Sequence, residues 1–286
     1  MTTKRAIAAM EPQPRTGTRT RKDLTPRHMQ KGAVTDGLDR PSEAHAEAPL
    51  INPVHKMRMS VEVFGRARNK VLVVDDFYKE PNSVRETALS LSYGKDRSVY
   101  PFVQAKPYWS SGPLARFLSQ FIREKLIPKN IEDRFRIVTK KADELAPWQR
   151  VPHFDDADLA GVIYLNPPEQ CRGGTGFYRH RASGLERFPE NIGPRLASFM
   201  RKHGILSREE LIEWVLASPG LPRRGFITES NEEWELTKLV QMKSNRLIMY
   251  DARLFHSGYI RERDFGERLE TRRLTQAFFI RFRKNE

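Results

Sequence analysis

Residues 153–167 read HFDDADLAGVIYLNP, and the reading of this stretch decides the class of fold. In an extended segment residues i and i+2 share a face. His153 and Asp155 then aim an imidazole and a carboxylate at one point, while Phe154 turns the other way. The apolar run that follows, AGVIYLN, is short, β-prone and closed by prolines. Four similar runs flank it: RFRIVTK from Arg134, GTGFYRH from Gly174, RLIMYDA from Arg246 and LTQAFFIRF from Leu274. Proline, glycine and charged turns separate them, which is an antiparallel β pattern. A double-sheet jelly roll or barrel is its natural closed form.

Upstream the period is different. NKVLVVDDFYKEPNSVRETALSL reads as a buried strand at Val71–Val74, a turn and a helix. Pro81 sits in the first helical turn, and Val84, Ala88 and Leu91 recur at helical spacing. A second helix is expected over Gly112–Leu126, where Leu114, Phe117, Leu118, Phe121 and Ile122 form one apolar stripe. Between Ser183 and Leu236 the β pattern lapses. SREELIEWVLAS opens with a capping box, Ser207 with Glu210, so a helix lies inside an insertion.

The 286 residues suffice for one large domain or two small ones, and 38% hydrophobic with 10% aromatic residues can build a core. Residues 1–56 carry Pro, Thr, Gly and mixed charge without an apolar period, and are read as a disordered basic arm. Residues 57–286 are read as a single domain. The net charge of +14 fits nucleic acid, an acidic substrate, an anionic membrane surface or plain solubility. No helix-turn-helix, zinc-finger or RNA-binding signature accompanies it, so nucleic acid is not the expected partner. Cys171 is the only cysteine, which excludes an internal disulfide and a cysteine-rich zinc site. The opening MTTKRAIAAMEPQPR has too brief an apolar patch for a secretory signal, and no apolar run is long enough to span a bilayer. A cytoplasmic protein is expected.

Two further stretches join HFD. In RLIMYDARLFHSGY a strand ends and His256 follows at its mouth. In RRLTQAFFIRF, Arg273 and Thr275 alternate onto one face. Two histidines and one carboxylate make the facial triad of a non-haem Fe(II) site. An arginine is suited to grip the distal carboxylate of an organic acid through two parallel hydrogen bonds. Arg272 is a rival for that role, and Arg273 is preferred because it shares a face with Thr275.

On these residues the sequence resembles the Fe(II)/2-oxoglutarate-dependent dioxygenases, on the prolyl-4-hydroxylase-like side of that superfamily. HFD at His153–Asp155 is similar to the HxD motif, YLN at Tyr164–Asn166 to the strand after it, and GGTGF at Gly173–Phe177 to the family's glycine-rich turn, with the threonine one position early. His256, Arg273 and Thr275 follow in the family's order. The resemblance runs from about Val71 to Phe282. It implies a double-stranded β-helix, cupin-like core with flanking helices, and Fe(II) held by His153, Asp155 and His256. It also implies 2-oxoglutarate paired with Arg273, helped by Thr275 and Tyr164, and dioxygen as the second co-substrate. The implied reaction couples decarboxylation of 2-oxoglutarate to succinate with C–H hydroxylation. Asp155 favours hydroxylation over halogenation, because halogenating relatives leave that ligand position open. The insertion at about 183–236 would form a substrate lid. The substrate, a small molecule or a peptidyl side chain, is not legible, nor is the oligomeric state. The rival of another class is a jelly-roll module that holds metal or a small acid and turns nothing over.

Other polar residues carry blander readings. Asp156 and Asp158 are expected in solvent or a turn, His180 in a solvated charged loop, and Cys171 as a bystander. Tyr108 and Trp109 are expected to serve packing.

Overall fold

Asn69–Asp75 reads NKVLVVD, and Val71, Leu72, Val73 and Val74 are almost wholly buried. A strand apolar on both faces must lie between two layers. In the computed structural model, which describes residues 47–94, 101–122, 126–217 and 225–282, it does. Leu72 and Val74 enter one core, and Val71 and Val73 enter another.

That strand, β2, belongs to a large antiparallel sheet with β1 (Arg58–Phe64), β3 (Phe102–Ala105), β4 (Ile131–Val138), β5 (Leu159–Tyr164), β8 (Leu247–Asp251) and β10 (Leu274–Ile280). Its order is β1-β2-β8-β5-β10-β4-β3. A small antiparallel sheet, ordered β7-β6-β9, holds β6 (Gly174–His180), β7 (Trp234–Gln241) and β9 (His256–Tyr259). The chain is therefore mainly β, with four short α-helices among the described residues: α1 (Pro81–Ser90), α2 (Gly112–Leu118), α3 (Pro194–Lys202) and α4 (Arg208–Leu216).

Alternation along each strand stacks these elements into four layers. One face of the large sheet packs on α1 and α2 through Leu72, Phe135, Ile163, Met249 and Phe278. The other face meets the small sheet through Val73, Tyr164, Ile248 and Tyr250 against Phe177 and Val240. The outer face of the small sheet, with Tyr178, Trp234 and Phe255, is covered by α3 and α4 through Met200, Leu211 and Val215. Burying each large side chain of this kind is worth about 1.5–3 kcal/mol. At Gly161 an added Cβ would lie 2.1 Å from the Phe278 ring, so the ring lies directly on the backbone of the neighbouring strand.

Several expectations are corrected. The helix expected over Gly112–Leu126 ends at Leu118. Past it the amides of Gln120 and Phe121 bond three residues back, and the Ser119 hydroxyl bonds the Ala115 carbonyl, which tightens and closes the last turn. Positions 123–125 of that expectation, 218–224 of the insertion and 1–46 of the arm lie outside the described residues. The chain is tied down ahead of residue 57: the Asn52 amide bonds the Phe77 carbonyl, and the Lys79 amide that of Leu50. β7 starts at Trp234, inside the span read as non-β, and α3 lies in the insertion unannounced. A strand, β8, does end at Asp251 ahead of His256, but His256 itself opens the next one, β9. The Ser207 cap is present, its hydroxyl accepting from the Glu210 amide at 3.0 Å, while the Glu210 carboxylate reaches the Leu206 amide.

The insertion is also fastened to the β1–β2 turn. Buried Glu186 accepts from the amides of Arg66 and Ala67 and from Asn69 Nδ2, at 2.8, 3.1 and 2.7 Å. Glu186→Ala strips three donors of their charged acceptor and is expected to cost about 2–4 kcal/mol in chemical denaturation. His180 gives a second test. It is 1% exposed, between Trp214 and Trp234, and burial holds its pKa down to about 4. An unfolded histidine titrates near 6.5, so below that pH the unfolded chain takes the proton first. Stability is then full above about pH 6.5 and falls as pH drops towards 4, and His180→Gln flattens that slope in denaturation series at pH 7 and pH 5.

Candidate metal centre

The HFD segment is held by backbone bonds to two separate elements. The His153 amide donates to the His256 carbonyl at 2.9 Å, and the His256 amide returns the bond to His153 at 2.8 Å. The Asp155 amide donates to the Ala252 carbonyl, just past β8, at 2.8 Å. With the backbone extended, alternation sends His153 and Asp155 inward beside His256, and Phe154 outward.

The donor atoms of His153, Asp155 and His256 all lie within 4.8 Å of one another. The two imidazole rings are 4.6 Å apart, and His256 Nε2 is 3.1 Å from Asp155 Oδ2. Three donors that each sit about 2.1 Å from one cation at right angles are about 3 Å apart. His256 Nδ1 donates to the Leu254 carbonyl at 2.8 Å. This fixes the ring and turns the Nε2 lone pair towards Asp155, the orientation that a metal ligand requires. A lone pair and a carboxylate oxygen at that separation need a shared cation, a proton or a metal ion, between them. Burial, then the neighbouring His256, holds the His153 pKa down to about 4, so the ring is a neutral donor at pH 7. For Asp155 burial alone would raise the pKa. His256, by charge and hydrogen bond, together with His153 and Arg136 outweighs it and leaves the carboxyl at about 2.

Further into the same interior lies a cationic group. Arg273 Nη2 donates to the Gly174 carbonyl at 2.9 Å, and its guanidinium carbon sits 5.2 Å from the centre of the Tyr164 ring. Its Nη1 is buried and has no hydrogen-bond partner. A buried donor on a charged group without an acceptor is costly, so this atom marks a place for an anion. The Tyr164 hydroxyl is 2.8 Å from Thr175 Oγ1, and Thr275 pairs directly with Tyr164 across β5 and β10. Tyr250 links the two halves: its ring is 4.9 Å from His256, and its hydroxyl feels the charges of Asp155 and Arg273. Arg272 points elsewhere, donating to the Thr139 carbonyl at 3.2 Å.

The structure thus brings His153, Asp155 and His256 together at one position. It sets Arg273, Tyr164 and Thr275 along the same sandwich interior. Thr175, the threonine of the GGTGF turn, joins that interior through β6. Tyr250 joins it through β8 without having been singled out in the sequence, because it is contributed by register and no motif announces register. Of the blander readings, those of His180, Asp158 and Tyr108 are corrected, and those of Asp156 and Trp109 hold. His180 is in the core, not in a solvated loop. Asp158 is buried and accepts from the Phe282 amide at 2.8 Å, whereas Asp156 is exposed. Trp109 packs edge-on against Phe135 in the far core, and Tyr108 is exposed. Cys171 Sγ lies against the carbonyls of Asn166 and Pro167.

The described residues of the insertion are not placed as a lid. Its helices cover the outer face of the small sheet, and its Phe188 stacks on Phe154 with ring centres 4.6 Å apart and planes at 10°. Phe255 closes the other side of Phe154, edge-on at 6.0 Å. The residue between the two inward-facing side chains is clamped from behind.

A family model described as "Family of unknown function (DUF6445)" matches residues 55–280. No curated protein matches the chain. Among solved structures, HygX from Streptomyces hygroscopicus, with nickel, 2-oxoglutarate and hygromycin B bound, is similar at 13% identity and a TM-score of 0.31, covering 79% of this chain and 82% of that one. The non-heme alpha ketoglutarate dependent carbocyclase SnoK from nogalamycin biosynthesis is similar at 11% identity and a TM-score of 0.31, covering 74% of this chain and 80% of that one. Likeness at this level says nothing of the chemistry of this chain. Among the described residues no helix is long and apolar enough to cross a membrane.

If Phe154 sets the direction of its neighbours, Phe154→Ala is expected to weaken Mn(II) binding about tenfold, in the range for lost support of metal ligands. Electron paramagnetic resonance of free Mn(II) measures it, with Phe154→Leu expected to fall between.

Proposed function

The chain belongs to the DUF6445 family, a family of unknown function, and we propose that it is a non-haem Fe(II)/2-oxoglutarate-dependent oxygenase that hydroxylates a C–H bond. The observation that carries this reading is one interior holding both a converging donor set and an unpartnered cationic donor. His153, Asp155 and His256 converge on a point suited to a divalent ion. In the same interior a buried guanidinium nitrogen of Arg273 lacks an acceptor. Neither a plain structural metal site nor a plain core arginine accounts for both.

In this reading His153, Asp155 and His256 would hold the Fe(II), and a set of two histidines and one carboxylate would leave positions open to co-substrates. The bond from Nδ1 to Leu254 keeps His256 in one tautomer, and Phe154 keeps His153 and Asp155 turned inward. Arg273 takes the far carboxylate of 2-oxoglutarate on Nη1, while Nη2 stays on the Gly174 carbonyl, and the Tyr164 ring holds the plane of the fork. Tyr164, Thr175 and Thr275 supply hydroxyls on the same side. Iron(II) with 2-oxoglutarate and dioxygen supplies oxidative decarboxylation to succinate and carbon dioxide, with the second oxygen atom passed to the substrate. We take the large and small sheets as the two faces of a double-stranded β-helix, and the prolyl-4-hydroxylase-like side of the superfamily as its place.

Anaerobic titration with Fe(II) and 2-oxoglutarate tests this through the visible metal-to-ligand charge-transfer band. The wild type is expected to give the band, and His153→Ala and Asp155→Ala to lose it. Arg273→Ala should need about 100-fold more 2-oxoglutarate, the loss of a buried charged pair. A folded wild type without the band sinks the proposal. A band without succinate release under air, across a broad substrate panel, would leave a binding module.

A further inference from the structure

Short side chains lie along the interior between the metal ligands and Arg273. On the inner face of the large sheet, Ala160, Val162 and Tyr164 of β5 pair with Phe279, Ala277 and Thr275 of β10, and cross-strand partners share a face. Tyr250 of β8 pairs with Ala160 from the other side. The middle of this patch is therefore Ala160, Val162 and Ala277, while the opposite face of the same two strands puts Leu159, Ile163 and Phe278 into a filled core. On the small sheet Gly258 of β9 pairs with Thr175, whose hydroxyl reaches Tyr164 in the interior. Apart from the chain neighbours of Gly258, a Cβ added there would meet only the Ile260 side chain, at 3.4 and 3.6 Å. Gly258 lies two residues past His256, so the room it leaves adjoins the metal centre on the same face of β9.

One buried group beside this room has nothing to bind. Tyr250 is 2% exposed, and among the described residues its hydroxyl makes no hydrogen bond. The other buried tyrosines each have a partner: Tyr78 donates to Gln276, Tyr164 bonds with Thr175, Tyr178 donates to the Ile227 carbonyl, and Tyr259 accepts from Arg261. A buried phenol hydroxyl left without a partner is costly, and most find one. The ring is held in place, edge-on to Phe177 and to His256 with ring centres 4.9 Å away in both cases. The charges of both Asp155 and Arg273 reach the hydroxyl, so it lies within range of the two ends of the interior. Arg273 offers no acceptor, and Asp155 Oδ2 is engaged by His256 Nε2. The hydroxyl calls for an acceptor brought by a ligand.

We infer that Tyr250 donates a hydrogen bond to the carboxylate of 2-oxoglutarate that faces the metal, so that the co-substrate is gripped at both ends, there by Tyr250 and at the far carboxylate by Arg273. This rests on the oxygenase reading above and deepens it. The carbon chain between the two ends crosses Val162 and Ala277 beneath Gly258, where side chains are short. An anionic oxygen suits this donor, because a hydrogen bond to a charged acceptor is worth more than one to a neutral group. The ring has a second part, packing against His256, and Tyr250→Phe keeps that contact while removing the donor.

The test uses the full chain. Mn(II) uptake is measured by electron paramagnetic resonance of the free ion. 2-Oxoglutarate is then titrated anaerobically into the Fe(II) form of the wild type, Tyr250→Phe and Arg273→Ala. Tyr250→Phe is expected to take up Mn(II) as the wild type does and to need about tenfold more 2-oxoglutarate, the loss of one hydrogen bond to a charged group. At saturation its charge-transfer band should move to shorter wavelength, because the donor that lowered the acceptor orbital at the metal-side end is gone. Arg273→Ala alters the far end and should leave the band in place. An unmoved band in Tyr250→Phe, an unchanged need for 2-oxoglutarate, or a band that Arg273→Ala moves as far overturns the inference with the oxygenase reading intact. So does impaired Mn(II) uptake by Tyr250→Phe, which would make Tyr250 a support for His256 alone. A folded wild type that gives no band overturns the oxygenase reading, and the inference with it.

Discussion

The two hydrogen bonds exchanged by the backbones of His153 and His256 are the constraint on which the site depends. They join a segment that precedes β5, in the large sheet, to β9, in the small sheet, at the point where the sheets come together. Without them the two imidazoles would belong to different layers and share no position. With them, the alternation of an extended chain does the rest: Asp155 falls on the same side as His153, and Phe154 is sent into the core on the other side of the small sheet. A metal site of this kind needs three donors within a few tenths of an ångström of their places. Here backbone bonds provide the placement, while side-chain bonds provide only orientation, as between His256 and the Leu254 carbonyl.

The same logic separates the charge on Arg273 from its surroundings. A guanidinium buried between two sheets with one donor unmet works against folding, and burial itself disfavours its charge. Strain of that kind persists where the rest of the fold over-determines it. β10 does so here, pinned between β4 and β5 by seven and six paired residues. The sheet thus holds the arginine in wait for an acceptor. Glu186 and Asp133 are the contrast: each is a buried charged residue whose acceptor capacity is met within the chain, by the β1–β2 turn and by Ser111 with Gln276.

Much of the fold was legible because strands that are buried on both faces, or that alternate strongly, say so locally. NKVLVVD, AGVIYLN and LTQAFFIRF announce themselves in this way. β1, β3 and β7 do not. β1 and β7 are mixed in polarity with few buried positions, and β3 is only four residues long, so their strand character comes from pairing partners distant in sequence. The positions of His153, Asp155 and His256 could be picked out from residue type and order, and Arg273 from its spacing to Thr275. Tyr250 could not. It matters because of what lies across from it, and register is a property of two strands at once.

The insertion is where sequence reasoning went furthest astray, and the physical reason is instructive. A long non-β segment between two site-bearing strands looks like a cover for the site. Yet α3 and α4 present Met200, Leu211, Ile212 and Val215 to one side, and an apolar stripe must be buried against another. The apolar surface still open is the outer face of the small sheet, where Tyr178, Trp234 and Phe255 would otherwise meet water. The insertion satisfies that demand, and in doing so it brings Phe188 behind Phe154 and a carboxylate, Glu186, under the β1–β2 turn. It is therefore a brace for the small sheet and for the HFD segment.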